Sequence, residues 1–540
     1  MEFLRTLLRD SGLKPAMLIG LTLIASLATV ILIGAVTAAA QLAASGESTL
    51  QLLAIFLVSC ALYAAVQLAL MRRFASALEA VIHDIRARLV DRIRAAEYST
   101  IRDIGREPLF AAITRHTQTI SRNLPLAVLG AQQLVLVVFV CLYLGTLSTV
   151  AFSLAAIFSV TIVATHLARM KRFGARADEV ADDESRLFQR FDDLLHGQKE
   201  ARLSARRAEG QFRELARLSS RTREARSDLK RAWAREFALV ELGFYGLVGV
   251  MVFVVPGLSD GYHSVAFPVI MAALFLIGPV AAVATAIPAM EEAERALRAI
   301  RQVERRLVAQ TESPDAQGSS NDAPVQAIAR LELDAVRYAY QGEGGAAGFA
   351  VGPLSASFEA GQITFVTGGN GAGKSTMLLL LTGLLAPAAG CLRVDGVPVD
   401  AQGLQSWRDR IGAVFADYHL FSRLYGLASH SPQRLTELLE RFEMADKVSV
   451  QDGAFSTRDL SSGQRKRLAL IATLLEDRPV LVLDEWAADQ DPHFRAVFYE
   501  QLLPALREQG KLIICVTHDD RWFHLADQIL RMDEGRLEAA

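Results

Sequence analysis

From the N-terminus to about residue 300 the hydrophobic pattern is written in whole segments: long windows without a charged side chain are separated by stretches dense in arginine. A bilayer core about 30 Å thick needs roughly 20 apolar residues as helix and penalises unpaired charge, so such windows predict membrane spans. Six emerge, at residues 15–43, 50–71, 124–145, 150–167, 238–258 and 265–290. Between Arg122 and Arg169 there is no Asp, Glu, Lys or Arg, which leaves room for two spans joined at residues 146–149.

The polar segments between spans, 72–122 and 169–237, are too long for loops and keep helical spacing, as at Leu187, Phe191, Leu194 and Leu195. They predict membrane helices that run on into the cytoplasm. Their arginines interleave with Asp and Glu, which favours solvated helix faces over nucleic-acid contact, and no nucleic-acid partner is expected. The short connections around Glu47, Ser148 and Asp260 contain no Lys or Arg, whereas Arg72, Arg73, Arg86, Arg88, Lys171, Arg172 and Arg202 crowd the others. The positive-inside bias therefore places both chain ends in the cytoplasm. Arg5, Arg9 and Lys14 precede a run too long for a signal peptide, so an uncleaved first helix is expected. Glu241, near the inner end of the fifth span, reads equally as a functional membrane carboxylate or an interfacial one. Small residues and Gln41, Gln67, Gln132 and Gln133 suit helix packing as well as ligand contact, with packing favoured.

Composition agrees with a membrane protein. At 540 residues the chain exceeds one ordinary core, and a 51% hydrophobic share exceeds that of a typical soluble protein. Cys60, Cys141, Cys391 and Cys515 stand singly, with no CxxC pair, and are expected to be buried reduced thiols, not a metal cage or disulfide framework. Residues 311–327, rich in Ser, Pro, Gly, Asn and Asp, read as a linker between a membrane domain (1–310) and a second domain (328–540).

The second domain carries the chemistry. A buried-strand pattern at 363–367 runs into Gly368-Gly369-Asn370-Gly371-Ala372-Gly373-Lys374-Ser375-Thr376 and then a helix-like 377–382. This is a phosphate loop in strand-to-helix context: glycines let backbone N–H groups wrap phosphates, Lys374 neutralises the β and γ phosphates, and the Ser375 hydroxyl reaches Mg²⁺. A later apolar run, 480–483, ends in Asp484 and Glu485, a magnesium ligand and a base toward the attacking water. Upstream of it, Leu460-Ser461-Ser462-Gly463-Gln464-Arg465-Lys466-Arg467 opens a helix.

That order of motifs resembles the ATP-binding cassette family across the whole chain, in the layout of its half-size exporters: a six-helix membrane half followed by one cassette. The resemblance implies a multi-domain membrane protein, with a six-helix all-α transmembrane domain, long cytoplasmic helix extensions and an α/β P-loop nucleotide-binding domain. It implies ATP and Mg²⁺ as cofactors and an ATP hydrolase coupled to transport. By the same resemblance, Ser461, Ser462, Gly463 and Gln464 belong to a signature that binds the γ phosphate of ATP held by a second copy of the chain. Tyr340 would stack on adenine, Asp491 is the D-loop aspartate, and His518, in Val516-Thr517-His518-Asp519, is the switch histidine beside the γ phosphate. The sequence departs from the family where a glutamine usually contacts magnesium: Ala416, in Val414-Phe415-Ala416-Asp417, cannot supply an oxygen. Asp417, a water, or a weaker contact would have to replace it.

The signature, residues 415–421 and Asp484-Glu485-Trp486-Ala487-Ala488-Asp489-Gln490-Asp491-Pro492 are similar to the bacterial cyclic peptide exporter branch, which handles syringomycin-type lipopeptides, a pyoverdine precursor and lasso microcins. His196-Gly197-Gln198-Lys199-Glu200 resembles its cytoplasmic-helix motif. The expected cargo is therefore peptide-like, carried out of the cytoplasm by alternating access across the lipid bilayer of a bacterial inner membrane. The first span is read with no peptidase domain before it, so leader cleavage is not expected of this chain. Alternatives are export of a lipid, drug-like or metal-conjugate cargo, or an ATP-gated channel or regulatory membrane protein.

Overall fold

The computed structural model describes residues 15–45, 47–258, 262, 265–308, 327–341, 347–427 and 432–539. Arg5, Arg9, Lys14, Asp260 and residues 311–326 of the expected linker lie outside them. The chain forms two compact units, one of Met1–Asp91 with Arg106–Arg305 and one of Arg92–Gly105 with Arg306–Ala540.

The first unit is helical. Its long elements are α1 (Pro15–Ser45) and α2 (Leu50–Ala95). After α3 (Tyr98–Ile104), which clusters with the second unit, come α4 (Arg106–Ala111), a π-helical turn at Ala112–His116 and α5 (Thr117–Leu147). Then follow α6 (Thr149–His196), α7 (Gln198–Arg202), α8 (Ala205–Phe253), α9 (Ala266–Phe275) and α10 (Ile277–Val308). Five described stretches are long and apolar enough to cross a membrane: Ala16–Ala43, Leu50–Ala95, Arg106–Leu147, Ala205–Gly257 and Ala266–Val308; a shorter apolar one covers Thr149–Ile162. With 46 residues, α2 is about 69 Å long at 1.5 Å per residue, more than twice a bilayer core. Its second half, with Arg86, Arg88, Arg92 and Arg94, continues beyond the apolar part.

Local chemistry sets the breaks. Ser148 is extended and its side chain accepts the Ala151 N–H, which starts α6 directly after α5 ends. Two boundaries differ from the predicted spans. The fifth helix stops at Phe253 and passes into a 3₁₀ turn at Val255–Gly257, because Pro256 has no N–H for the carbonyl of Val252. The sixth span is two helices separated at Leu276, where Pro279 likewise cannot donate to the Phe275 carbonyl.

Packing in this unit uses small and polar residues as membrane helices do. A Cβ on Gly130 would overlap the Ala286 side chain, so α5 and α10 approach closely only with glycine there. Buried Gln132 donates from Nε2 to Gln67 Oε1 at 2.7 Å, joining α5 to α2. Glu241 is exposed on α8. All four cysteines are free thiols. Cys141 and Cys515 are buried as expected, but Cys391 is only half-buried and Cys60 is exposed, the latter on the apolar half of α2, where a thiol counts as a small hydrophobe.

The second unit is α/β. It contains β1 (Arg330–Gln341), β2 (Ala347–Glu359), β3 (Ile363–Gly368), α11 (Lys374–Leu381), β4 (Ala389–Val394), β5 (Val397–Pro398), α12 (Leu404–Arg408) and β6 (Ile411–Val414). After α13 (Pro432–Arg441) come a small hairpin, β7 (Val450–Gln451) and β8 (Ala454–Phe455), and then α14 (Ser462–Leu475) and β9 (Val480–Asp484). The rest is α15 (Pro492–Val497), α16 (Leu503–Glu508), β10 (Leu512–Val516), β11 (Gln528–Asp533) and β12 (Arg536–Ala539). One sheet has the order β12-β11-β3-β10-β9-β6, parallel except at its β12 edge; an antiparallel sheet has the order β2-β1-β4-β5. Strands β9 and β10 are buried at every position, as the continuous apolar runs of a two-side-covered parallel sheet require.

Trp486, in the 3₁₀ turn after Glu485, is fully buried. Its ring lies 4.5 Å from Phe498 and within 6.5 Å of Phe442 and Phe494, and its Nε1–H donates to the Lys466 carbonyl at 2.9 Å. Replacing Trp486 with alanine should cost about 3–5 kcal/mol through the cavity it leaves. Calorimetry of the purified protein should show this unit unfolding at a lower temperature, with the transition of the helical unit unmoved.

Candidate functional site

Neighbouring parallel strands bring their carboxyl ends to one edge of the sheet, where loops form a crevice. Val516 of β10 pairs with both Asp484 of β9 and Val366 of β3, so the three following loops leave at nearly the same level.

After β3 the chain turns through residues 368–373 into α11. Three glycines of this turn have positive φ, at 141° for Gly368, 78° for Gly371 and 102° for Gly373, which side-chain-bearing residues rarely adopt. A Cβ on Gly368 would also overlap the Met532 carbonyl oxygen. Asn370 and Gly371 form the exposed crest. Lys374, 6% exposed, curls back so that Nζ donates to the carbonyls of Gly368 and Gly369 at 2.9 and 3.0 Å. The start of α11 thus combines free backbone donors with an ammonium, the requirements of a phosphate site.

Beside it, the Ser375 hydroxyl donates to Asp484 Oδ2 at 3.2 Å. Burial pushes the Asp484 carboxyl up from its ordinary value, while Ser375 and the backbone N–H of Ala416 pull it back. Ala416, at the position where a glutamine is usual, therefore meets the Asp484 carboxylate through its backbone N–H. This hydroxyl–carboxylate pair offers the hard oxygen donors that Mg²⁺ prefers.

Glu485 takes a left-handed conformation, φ 47° and ψ 36°, and its Oε1 lies 3.1 Å from His518 Nε2. Together they face a cavity of about 380 Å³ that is also lined by Thr517, Asp519, Arg495 and Tyr499. A carboxylate beside an imidazole at the end of a phosphate-loop sheet can hold a water and accept its proton. At the other flank, Tyr340 OH lies 3.1 Å from Thr376 Oγ1. Arg102 of α3, which the sequence reading did not single out, places its guanidinium 4.9 Å from the Tyr340 ring centre and donates to Tyr338 OH at 3.4 Å.

The signature residues form a second set. Ser461 caps α14: its hydroxyl accepts the Gln464 N–H, and Gln464 Oε1 accepts the Ser461 N–H in return. Ser462 and Gly463 open that helix, and a Cβ on Gly463 would come within 2.6 Å of the Asp489 carbonyl oxygen. Asp491 caps α15 through the Phe494 N–H and pairs with Arg467 at 2.6 Å; both hold its carboxyl below the usual range. Lys466, Arg467, Asp489 and Gln490 stand inside the motifs quoted from the sequence, but the sequence reading gave them no role of their own. The signal for the first two was present, since they occupy the core-facing stripe of α14 with Gly463, Leu470, Ile471 and Leu474.

A family model described as ABC transporter matches residues 351–488. The chain is 32% identical over 402 residues to "ATP-binding protein SyrD" of Pseudomonas syringae pv. syringae, covering 73% of this chain and 71% of that protein. It is 31% identical over 228 residues to "Macrolide export ATP-binding/permease protein MacB 1" of Yersinia pestis bv. Antiqua (strain Antiqua), across 39% of this chain and 34% of that protein. A solved structure described as a bacterial Atm1-family ABC exporter with ATP bound superposes with a TM-score of 0.77 over 98% of this chain and 95% of that one, at 18% identity, and shows the shared fold. A chain that joins long apolar helices to this phosphate-loop site, and that aligns with SyrD over most of both lengths, belongs to the ABC transporter family, whose ATP hydrolysis is coupled to transport.

Proposed function

We propose that two copies of the chain form an exporter that moves a peptide-like substrate, such as a cyclic peptide, a lasso peptide or a peptide siderophore precursor, out of the cytoplasm across a bacterial inner membrane. The observation that carries the cargo class is the run Asp484 to Pro492 which, together with residues 415–421 and the signature, is similar to the cyclic peptide exporter branch. Likeness to SyrD over most of both chains supports it.

In this reading ATP lies on the 368–376 loop, with its adenine on Tyr340 and its phosphates against Lys374 and the first N–H groups of α11. Ser375 and Asp484 would hold Mg²⁺, which when bound offsets phosphate charge. Glu485 orients the attacking water and takes its proton, while His518 holds the carboxylate and faces the γ phosphate. Ser461, Ser462, Gly463 and Gln464 close on the ATP of the second copy, with Asp491 fixing the adjoining turn. Closure opens the path between the membrane helices outward, and hydrolysis resets it. Both chain ends lie in the cytoplasm, as the arginine-rich inward segments favour.

The test is ATPase activity of the purified protein in lipid, titrated with cyclic and lasso peptides, siderophore precursors and simple lipids. Selective stimulation by a peptide, followed by its uptake into inverted vesicles against a gradient, is expected. Hydrolysis indifferent to every peptide but raised by lipid would overturn the cargo class, and hydrolysis without accumulation of any cargo would point to gating.

A further inference from the structure

We infer that Lys466, on the signature helix, is a positioning residue for the catalytic carboxylate of Glu485, held in place by Asp489. The inference rests on Glu485 being the base, as proposed above.

Lys466 is 4% exposed, although a lysine is seldom buried without a partner. Its Nζ donates to the Glu485 carbonyl at 3.0 Å and pairs with Asp489 Oδ2 at 2.8 Å. The Glu485 carbonyl also accepts the Ala488 N–H, and the Glu485 N–H donates to the Val516 carbonyl. A left-handed glutamate persists only where its surroundings over-determine it. Here its flanking peptide groups are gripped by β10 on one side and by Lys466 and Ala488 on the other. Rotating that backbone would swing the Cα–Cβ bond and carry the carboxylate away from His518. Lys466 thus acts on the reacting water through the direction in which Glu485 points.

The same contacts tie the base to the signature. Besides the Lys466 bonds, Trp486 Nε1 donates to the Lys466 carbonyl, Gln490 Nε2 donates to the Gly463 carbonyl at 3.1 Å, and Arg467 bonds Gln490 and Asp491. In a dimer the signature and the base of one chain serve different ATP molecules. Lys466 therefore sits on the direct mechanical link between the two sites.

Lys466→Met keeps the side-chain volume, leaves the half-exposed Asp489 without this partner and leaves the Glu485 carbonyl with the Ala488 N–H as donor, so folding is expected to survive. In the full-length protein in lipid, kcat for ATP hydrolysis should fall on the order of 10- to 100-fold, the scale of a misplacement of about 1 Å, with KM for ATP within about twofold. Lys466→Arg should recover part of the loss, and Asp489→Asn, changed at a half-exposed position, should give a smaller fall in kcat of the same kind. A merely structural lysine would lower the melting temperature and leave kcat per folded molecule unchanged. The inference is overturned if Lys466→Met turns over within twofold of wild type while Glu485→Gln is inactive. Should Lys466→Met not fold, wild-type turnover in both Lys466→Arg and Asp489→Asn overturns it. Rapid turnover by Glu485→Gln itself removes the base, and this inference with it.

Discussion

Exchanging Glu485 for glutamine is expected to lower the ATPase kcat by about 10²- to 10⁴-fold, the usual contribution of a positioned general base. Glutamine has the same shape, fits the same left-handed backbone and can still bond His518 Nε2, which lies 3.1 Å from the carboxylate oxygen. What disappears is the proton acceptor. KM for ATP should stay within about threefold, because in the proposed reading Lys374, Ser375 and Asp484 would bind the phosphates and the metal without Glu485. Steady-state ATPase assays beside retention of radiolabelled ATP after gel filtration separate the effects: the variant should hold intact ATP and release little phosphate. Turnover within tenfold of wild type would assign proton removal elsewhere in the cavity of Glu485, His518 and Asp519.

The second large effect is expected at Lys374, and it falls on binding. In the 6%-exposed side chain the ammonium already satisfies the carbonyls of Gly368 and Gly369. Reaching phosphate oxygens exchanges these neutral partners for charged ones, with a gain of about 1.5–3 kcal/mol per charged hydrogen bond. Lys374→Ala should therefore weaken ATP by roughly 10- to 150-fold or more, with transport and steady-state hydrolysis both lost at millimolar ATP. Equilibrium binding of a fluorescent ATP analogue checks it. Binding as tight as wild type would show that the N–H groups of the loop carry the phosphates unaided.

How much of this was legible depends on how local each feature is. The loop 368–376 was readable because strand, glycines, lysine and helix follow one another in the chain, and Asp484 and Glu485 because they end a four-residue apolar run. His518 was placed at the site by family resemblance alone, and its contact with Glu485, 33 positions away, needed the fold. The Lys466 contacts cross 19 to 23 positions and needed the fold, although two cations in an apolar stripe already demanded partners. The break at Leu276 was written in Pro279 but is invisible to a hydropathy window, which counts proline as merely neutral. The role of Ala416 was beyond sequence reading, since it is exercised by a backbone N–H.

The placement of α3 has a practical consequence for severing the molecule. Residues 92–105 belong with the ATP-binding unit, where Arg102 covers Tyr340 and the Arg306 guanidinium donates to the Asp103 carbonyl at 3.1 Å. Protease cleavage or a gene split between residues 311 and 326 would therefore not yield a membrane fragment and an intact ATPase. It would strand a seven-residue helix with the wrong piece and bare Tyr338 and Tyr340 to water. Nucleotide affinities measured on such a fragment would describe a Tyr340 ring stripped of the guanidinium that covers it in the uncut chain.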